Sequence, residues 1–270
     1  MEYCSAIVFS CIQYSRCFCS QEYWFISLEV MKNIRDVIML LILLFTIQQT
    51  SAFAHADTLH LEFSNRVNNE IMELGKIYTN AFDEPFTIRA FKYYISNIQL
   101  VNSNEQVVYN SNEVFLINEA EEASKRIHLA TPAVTFSKIR FLLGVDSICN
   151  TSGVQTGNLD PAKGMFWVWN TGFIMAKMEG NSPAAKTPGH LFTYDIGGYK
   201  QGENAARMIE LTIPQQTIAP AKFLILANAA AWFKSTTEIH IASDPLCHAA
   251  GALAMKLADN YSTMFSIAAE

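Results

Sequence analysis

The chain has 270 residues, 50% of them hydrophobic, and a formal net charge of −6. The acidic balance and the absence of any run of Lys or Arg argue against nucleic acid as a partner, because phosphate-binding surfaces need clustered basic side chains. The motifs Gly-x-Ser-x-Gly, His-Glu-x-x-His, Gly-x-Gly-x-x-Gly and the phosphate loop are all absent, and we therefore expect no enzymatic activity.

A secretory signal is predicted from a basic-then-apolar pattern that begins at Met31. Lys32 and Arg35 follow this methionine, and an apolar run then occupies residues 37–47. The run is too short for a stable membrane anchor, which needs about 20 apolar residues. We therefore predict export to the periplasm or beyond the cell, with no membrane anchor after cleavage.

Small residues after the apolar run mark the expected cleavage site. Both 52–54 and 54–56 fit the small-x-small pattern, and we prefer the second. The predicted signal peptide then covers residues 31–56 and the mature domain residues 57–270. Residues 1–30 are interpreted as a mis-called N-terminal extension, with a genuine extended leader as the alternative.

Strands are predicted throughout the mature chain from alternation of apolar and polar residues. In the first strand, Leu59, Leu61 and Phe63 lie on one side and the polar residues between them on the other. Further runs of this kind lie at 86–100, 106–109, 114–117, 138–145, 165–178, 208–213, 223–226 and 238–241. Many short strands without intervening helices predict an all-β domain, either an antiparallel β-sandwich or a barrel.

One short helix is predicted near the C-terminus. Leu253, Leu257, Tyr261 and Phe265 recur every four residues, which is the spacing of one helix face.

Two loops rich in turn-forming residues, at 146–164 and 180–189, are candidate functional segments, because binding sites are commonly built on loops of a β scaffold. Asp146 and Asp160 lie at the ends of the first loop and could hold calcium together with backbone carbonyls, although the loop lacks a regular Asp spacing.

Cys149 and Cys247 are the two cysteines of the predicted mature domain. Export permits a disulfide, but pairing requires Cα atoms within about 7 Å, and a bridge and two independent thiols both stay open. His248 follows Cys247 directly and would point to the opposite face of a strand, so we do not expect the two to bind one metal unless they lie in a loop.

Histidines and tryptophans are the remaining candidates for chemistry. His60 and His240 each lie on the polar side of a predicted strand and could converge only if those strands are neighbours. Trp167 and Trp169 lie two residues apart and would share one face of a strand. Two indoles on one face form either a core anchor or a recognition surface.

Separated segments along the mature chain, in order, carry a resemblance to a known family. They are residues 86–88, 91–97, 143–147, 152–153, 155–157, 159–161, 164–170, 172, 175–177, 196–198, 258–261 and 264–265. On these segments the chain resembles the MbnP-like copper-binding proteins, relatives of the methanobactin-associated exported protein, in the version common among Bacteroidetes.

The resemblance implies an exported, sandwich-like β domain that binds, sequesters or delivers copper without catalysing a reaction. In the methanotroph relatives, His side chains hold copper together with a tryptophan that a di-haem peroxidase-like partner oxidises to kynurenine. Transferred to this chain, the implied metal residues are Trp167, Trp169, His190 and Asp195.

Two positions depart from the family pattern. Asp195 stands directly before Ile-Gly-Gly, and Asn65 stands in the first strand, where the family often has His. Asp195 still offers an oxygen, although carboxylate is a poorer partner for copper than imidazole. The alternative function is therefore a metal-free periplasmic or surface binding module that uses the Trp167/Trp169 face and the 146–164 loop.

Overall fold

The computed structural model describes residues 34, 38–39, 57–167, 169 and 172–268. The predicted extension and the predicted cleavage site lie outside these residues, and so does the predicted signal peptide apart from three positions. Within the described residues, no helix has both the length and the apolar character needed to cross a membrane.

The described residues form fourteen strands and two α-helices. The strands are β1 Asp57–Val67, β2 Glu70–Ile71, β3 Ile77–Thr79, β4 Pro85–Val101, β5 Val107–Asn118, β6 Arg126–Thr131, β7 Thr135–Leu143, β8 Phe166–Trp167, β9 Gly172–Asn181, β10 Leu191–Gly197, β11 Arg207–Ile218, β12 Lys222–Asn228, β13 Leu246–Cys247 and β14 Phe265–Ile267. The helices are α1 Ser147–Thr151 and α2 Ala252–Tyr261.

Two sheets are built from these strands. The small sheet has the order β14-β12-β1-β2, with β6 also paired to β1. The large sheet has the order β11-β7-β4-β9-β10-β13, with β3 and β5 paired to β4 and β8 paired to β9. Among the pairs described, β1–β12 and β10–β13 are parallel and the others are antiparallel. The predicted all-β, sandwich-like fold is confirmed.

Aromatic side chains join the two sheets into one core. Phe63 of the small sheet lies with its ring centroid 6.2 Å from Tyr93 and 6.2 Å from Phe141, both in the large sheet. Phe265 of β14 contacts the same two rings at 5.6 and 5.2 Å. Burying a side chain of this size contributes about 1.5–3 kcal/mol. The strands β1, β4, β7 and β14 each supply one of these four rings to the core.

One predicted strand is wrong. Residues 238–241 form no strand: Glu238 makes only an isolated bridge to Lys234, residues 239–240 are irregular and a turn begins at Ile241. Ile239 and Ile241 are nevertheless buried, as the alternation predicts. The backbone N–H groups of Ile241 and Ala242 each donate to the Glu84 carboxylate, at 2.9 Å. The buried Glu84 carboxylate thus accepts the hydrogen bonds that carbonyl groups of a neighbouring strand would otherwise accept.

The other differences concern boundaries. The runs at 106–109 and 114–117 belong to the single strand β5, and the run at 165–178 divides into β8 and β9. Helix α2 ends at Tyr261, so that Phe265 lies in β14.

Asn260, on the polar side of the predicted helix, is buried. Its side-chain amide donates to the backbone carbonyls of Trp232 and Thr237 at 3.0 and 2.9 Å, and this fixes α2 to the preceding loop.

Candidate functional site

A row of polar side chains crosses the outer face of the large sheet near the Ile-Gly-Gly segment. Lys92 of β4 is the cross-strand partner of Lys177 of β9, which is the partner of Asp195 of β10. His248, directly after β13, brings its Nδ1 atom to 3.5 Å from Oδ2 of Asp195. The outward direction of these side chains follows from strand alternation, because Tyr194 on β10 is fully buried in the core.

Lys177 lies between two carboxylates in this row. Its Nζ atom is 2.9 Å from Oδ1 of Asp195 and 2.8 Å from Oε1 of Glu179. The side chains of Lys177 and Asp195 are 13% and 14% exposed, whereas His248 is 48% exposed. We call Lys177, Glu179, Asp195 and His248 the β10 cluster.

The charge of Lys177 is held by its neighbours. Burial by itself lowers the pKa of this ammonium group, but the hydrogen bond to Glu179 and the charge of Asp195 together raise the pKa of Lys177 above its ordinary value. Lys177 is therefore a cation at neutral pH.

The two tryptophans lie beside the end of β10 but in different environments. Their ring centroids are 5.5 Å apart, and Trp167 is 5% exposed whereas Trp169 is 63% exposed. A Cβ atom at Gly197 would lie 2.8 Å from the Trp167 ring and 2.8 Å from the carbonyl oxygen of Phe173, so only glycine fits there. Trp167 is a core anchor, and Trp169 presents its indole to solvent.

The 146–164 loop is fastened to the sheet by hydrogen bonds. The buried Asn150 accepts from the backbone N–H of Phe173 at 2.8 Å and donates to the carbonyl of Val145 at 3.0 Å. Asp146 and Asp160 accept backbone N–H groups at 2.8 and 2.9 Å as helix caps. These carboxylates therefore hold the loop itself in shape.

His190 is not brought together with Asp195. It precedes β10, and its Nδ1 atom lies 2.9 Å from the carbonyl oxygen of Ala185. Leu191 and Asp195 are four positions apart on β10, which corresponds to about 13 Å. His190 instead lines a cavity of about 340 Å³ together with Phe86 and other residues at the far end of the strand.

Asn65 is part of a separate buried network. Its side-chain amide donates to Oε2 of Glu119 at 2.7 Å, and its carbonyl oxygen accepts from the Tyr93 hydroxyl at 2.8 Å. Glu119 also forms an ion pair with Lys125 at 3.2 Å. The hydrogen bonds of Asn65 are thus satisfied within the protein.

The cysteines do not add to the β10 cluster. Cys149 and Cys247 are both free thiols. Burial is the main cause that raises the pKa of Cys247 to about 11, so this thiol is protonated at neutral pH and is a poor metal ligand in that form. As the alternation predicts, Cys247 is buried while His248 is exposed.

The β10 cluster contains side chains that can bind copper, but a positively charged group already occupies the space between its carboxylates. One imidazole and two carboxylates are ligands that Cu(II) takes, yet the Lys177 ammonium already lies between the carboxylates. Within the described ranges, no group of three or more His, Cys, Asp or Glu is arranged to hold a metal ion. A cation would bind here only by displacing Lys177.

Sequence reasoning placed Asp195 and the tryptophans in this region but missed Lys177 and Glu179. Both lie on β9, within or beside the 175–177 segment that carries the family resemblance. The sequence identified His248 only as the neighbour of Cys247. It did not predict that His248 lies near Asp195, because the parallel pairing of β13 with β10 has no local sequence signal.

Comparison with known proteins gives one family and one solved structure. A family model described as MbnP matches residues 56–249, a range that contains β1 to β13 and the β10 cluster. The chain is also similar to MbnP from Methylosinus trichosporium, with a TM-score of 0.49 and 12% identity, over 73% of this chain and 82% of that one. No curated protein matches the chain.

Proposed function

Because this chain belongs to the MbnP family, we propose that it is an exported, non-enzymatic protein that binds copper for sequestration or delivery. The observation that carries the proposal is the β10 cluster, where Asp195, directly before the Ile-Gly-Gly segment, lies 3.5 Å from His248. Copper is the cargo in this proposal and not the agent of a reaction.

The side chains of the β10 cluster supply suitable ligands for Cu(II). His248 offers an imidazole nitrogen, and Asp195 and Glu179 offer carboxylate oxygens. Lys177 supplies the positive charge in the absence of a metal ion. Binding that requires the displacement of an ammonium group is weaker than binding to a preformed site, which suits exchange and delivery better than permanent storage.

Trp169 is the tryptophan that we propose as the target of oxidation. A partner enzyme of the di-haem peroxidase kind reaches an exposed indole more readily than a buried one. Trp169 is 63% exposed, whereas Trp167 is 5% exposed and packs on Gly197. Intact mass of protein purified from its own host reports this change.

Copper titration of the purified protein and three single variants tests the proposal. We expect Asp195→Ala and His248→Ala each to weaken Cu(II) binding by about tenfold or more, since removal even of groups that only support metal ligands costs about 10–100-fold. His190→Ala should bind copper like the unaltered protein. Unchanged binding in Asp195→Ala and His248→Ala would overturn the assignment of the site.

The second candidate function is a metal-free binding module, and the exposed Trp169 favours it. An exposed indole held beside a second one suits contact with an apolar or aromatic group. If neither Cu(II) nor Cu(I) binds stoichiometrically, this function takes precedence. Trp169→Ala should then abolish capture of a partner from an extract of the host, while Leu246→Ala, at another exposed apolar position, should not.

A further inference from the structure

Two histidines that are far apart in sequence face each other on the small sheet. His60 of β1 and His128 of β6 are direct cross-strand partners in an antiparallel pair. Their Nδ1 atoms are 2.6 Å apart, and their ring centroids are 4.7 Å apart with the rings nearly perpendicular at 79°. Each imidazole thus directs its Nδ1 atom toward the Nδ1 atom of the other, on an exposed surface.

The separation of the two nitrogens is close to that in a metal complex. A metal–imidazole bond of about 2.0–2.1 Å places two adjacent ligand nitrogens about 2.9 Å apart in square geometry and about 3.4 Å apart in tetrahedral geometry. The nitrogens of His60 and His128 need to separate by only a few tenths of an ångström to reach the first of these values. Their strands are already held by the β1–β6 ladder, so little ordering remains to be done on binding.

Charged side chains of three strands lie beside the histidine pair. Glu62, two residues along β1, forms ion pairs with Lys222 at 3.0 Å and with Arg126 at 3.7 Å. The Glu62 carboxylate thereby offsets part of the positive charge beside the histidines. Water can complete the coordination of an ion on this exposed face.

We propose that His60 and His128 form a binding site for a divalent late first-row transition metal ion, with both Nδ1 atoms as ligands. Neutral imidazole suits copper, nickel and zinc, and Cu(II) binds most tightly by the general order of divalent ions. The proposal does not rest on the proposed function, because this pair lies on the small sheet and the β10 cluster on the large sheet.

Titration of the full-length protein with Cu(II) sulfate, in a buffer without nitrogen ligands, tests this site. Paramagnetic resonance should show nitrogen coupling from two imidazoles, and His60→Gln and His128→Gln should each weaken this binding by about tenfold or more. Acidification should release the ion, because a metal-bound imidazole must be unprotonated. His240→Gln serves as the control, since the His240 ring stacks on Phe82 at 3.8 Å and not on another histidine.

The variants also separate this site from the β10 cluster. Loss of copper in His60→Gln but not in Asp195→Ala supports the histidine pair, and the reverse result supports the cluster alone. Both imidazoles are at the surface, so each Gln variant should keep the thermal unfolding temperature measured with a chelator present. A two-nitrogen signal and an affinity that persist unchanged in both Gln variants would overturn the proposal, as would the absence of any two-nitrogen signal in the unaltered protein.

Discussion

Lys177 competes with any added cation for the carboxylates of the β10 cluster. Its ammonium group lies 2.9 Å from Asp195 and 2.8 Å from Glu179, and Lys177 and Asp195 are the two more buried side chains of the three. Lys92 is its cross-strand neighbour, but the Nζ atom of Lys92 donates to the carbonyl of Lys163 at 2.9 Å. Lys177 therefore neutralises carboxylates, whereas Lys92 donates to a backbone carbonyl.

Substitution of Lys177 by Met should tighten copper binding. Hydrogen bonds to charged groups contribute about 1.5–3 kcal/mol, and each 1.4 kcal/mol corresponds to about tenfold in affinity, so we expect a gain of about tenfold or more. Competitive titration against a copper chelator measures it. Lys92→Met is the matched control and should leave the affinity unchanged; weaker binding in Lys177→Met would show that the cluster is not the site.

At the scale of elements, ion pairs join the edge strand β11 of the large sheet to its neighbour β7. Arg140 and Glu210 are cross-strand partners, and Nε of Arg140 donates to Oε2 of Glu210 at 3.0 Å. Lys138 adds a second ion pair to Glu210 at 2.9 Å. The hydrogen bonds from Arg140 and then from Lys138 hold the pKa of Glu210 below its ordinary value. This contact ties the edge of the large sheet to its neighbour through charge.

The lowered pKa of Glu210 predicts part of the acid sensitivity of the fold. A carboxylate with a lowered folded pKa contributes stability that is present above its unfolded pKa, about 4.3, and is lost as the pH falls through the folded value. Glu210→Gln should therefore unfold more easily at pH 7 and lose less stability on acidification below about pH 4.3. Urea unfolding at several pH values measures both effects.

Glu238→Gln is the control for this experiment. Glu238 forms an exposed i,i+4 ion pair with Lys234 at 3.3 Å, a kind of contact that contributes little. An acid profile of Glu210→Gln that coincides with that of the unaltered protein would contradict the prediction.

At the scale of the whole molecule, one aromatic core serves both sheets. Phe63 contacts Tyr93 and Phe141 across the interface between the sheets and Phe265 within its own sheet. A fold with one core of this kind is expected to unfold cooperatively, because neither sheet keeps a buried face without the other.

Phe63→Ala should destabilise the whole domain by about 3–5 kcal/mol, the cost of removing a large buried aromatic ring. Circular dichroism should report loss of the sheets, and tryptophan fluorescence should report loss of the Trp167 and Trp232 environments, at one common urea midpoint. Ile77→Ala, at a side chain that is 72% exposed, should change the stability by no more than about 0.5 kcal/mol. Separate midpoints for the two probes would contradict cooperative unfolding of the domain.

Much of the fold and the family could be predicted from sequence. Alternation of apolar residues identified β1, β4 and β7, because one face of each strand packs on the core. The ordered segments predicted the MbnP resemblance, which the family match confirms. The short strands β6 and β10 were not predicted. The surroundings of His128 and the pairing of Asp195 were therefore not predicted either.

The sequence by itself determined which residues face the core, where the C-terminal helix lies and to which family the chain belongs, because each depends on residue order along the chain. Only the tertiary structure decided that Lys177 neutralises Asp195 and that His60 meets His128, 68 residues away. The reason is that the register between strands depends on backbone hydrogen bonds across the sheet, and a shift of one residue would turn each of these side chains to the opposite face.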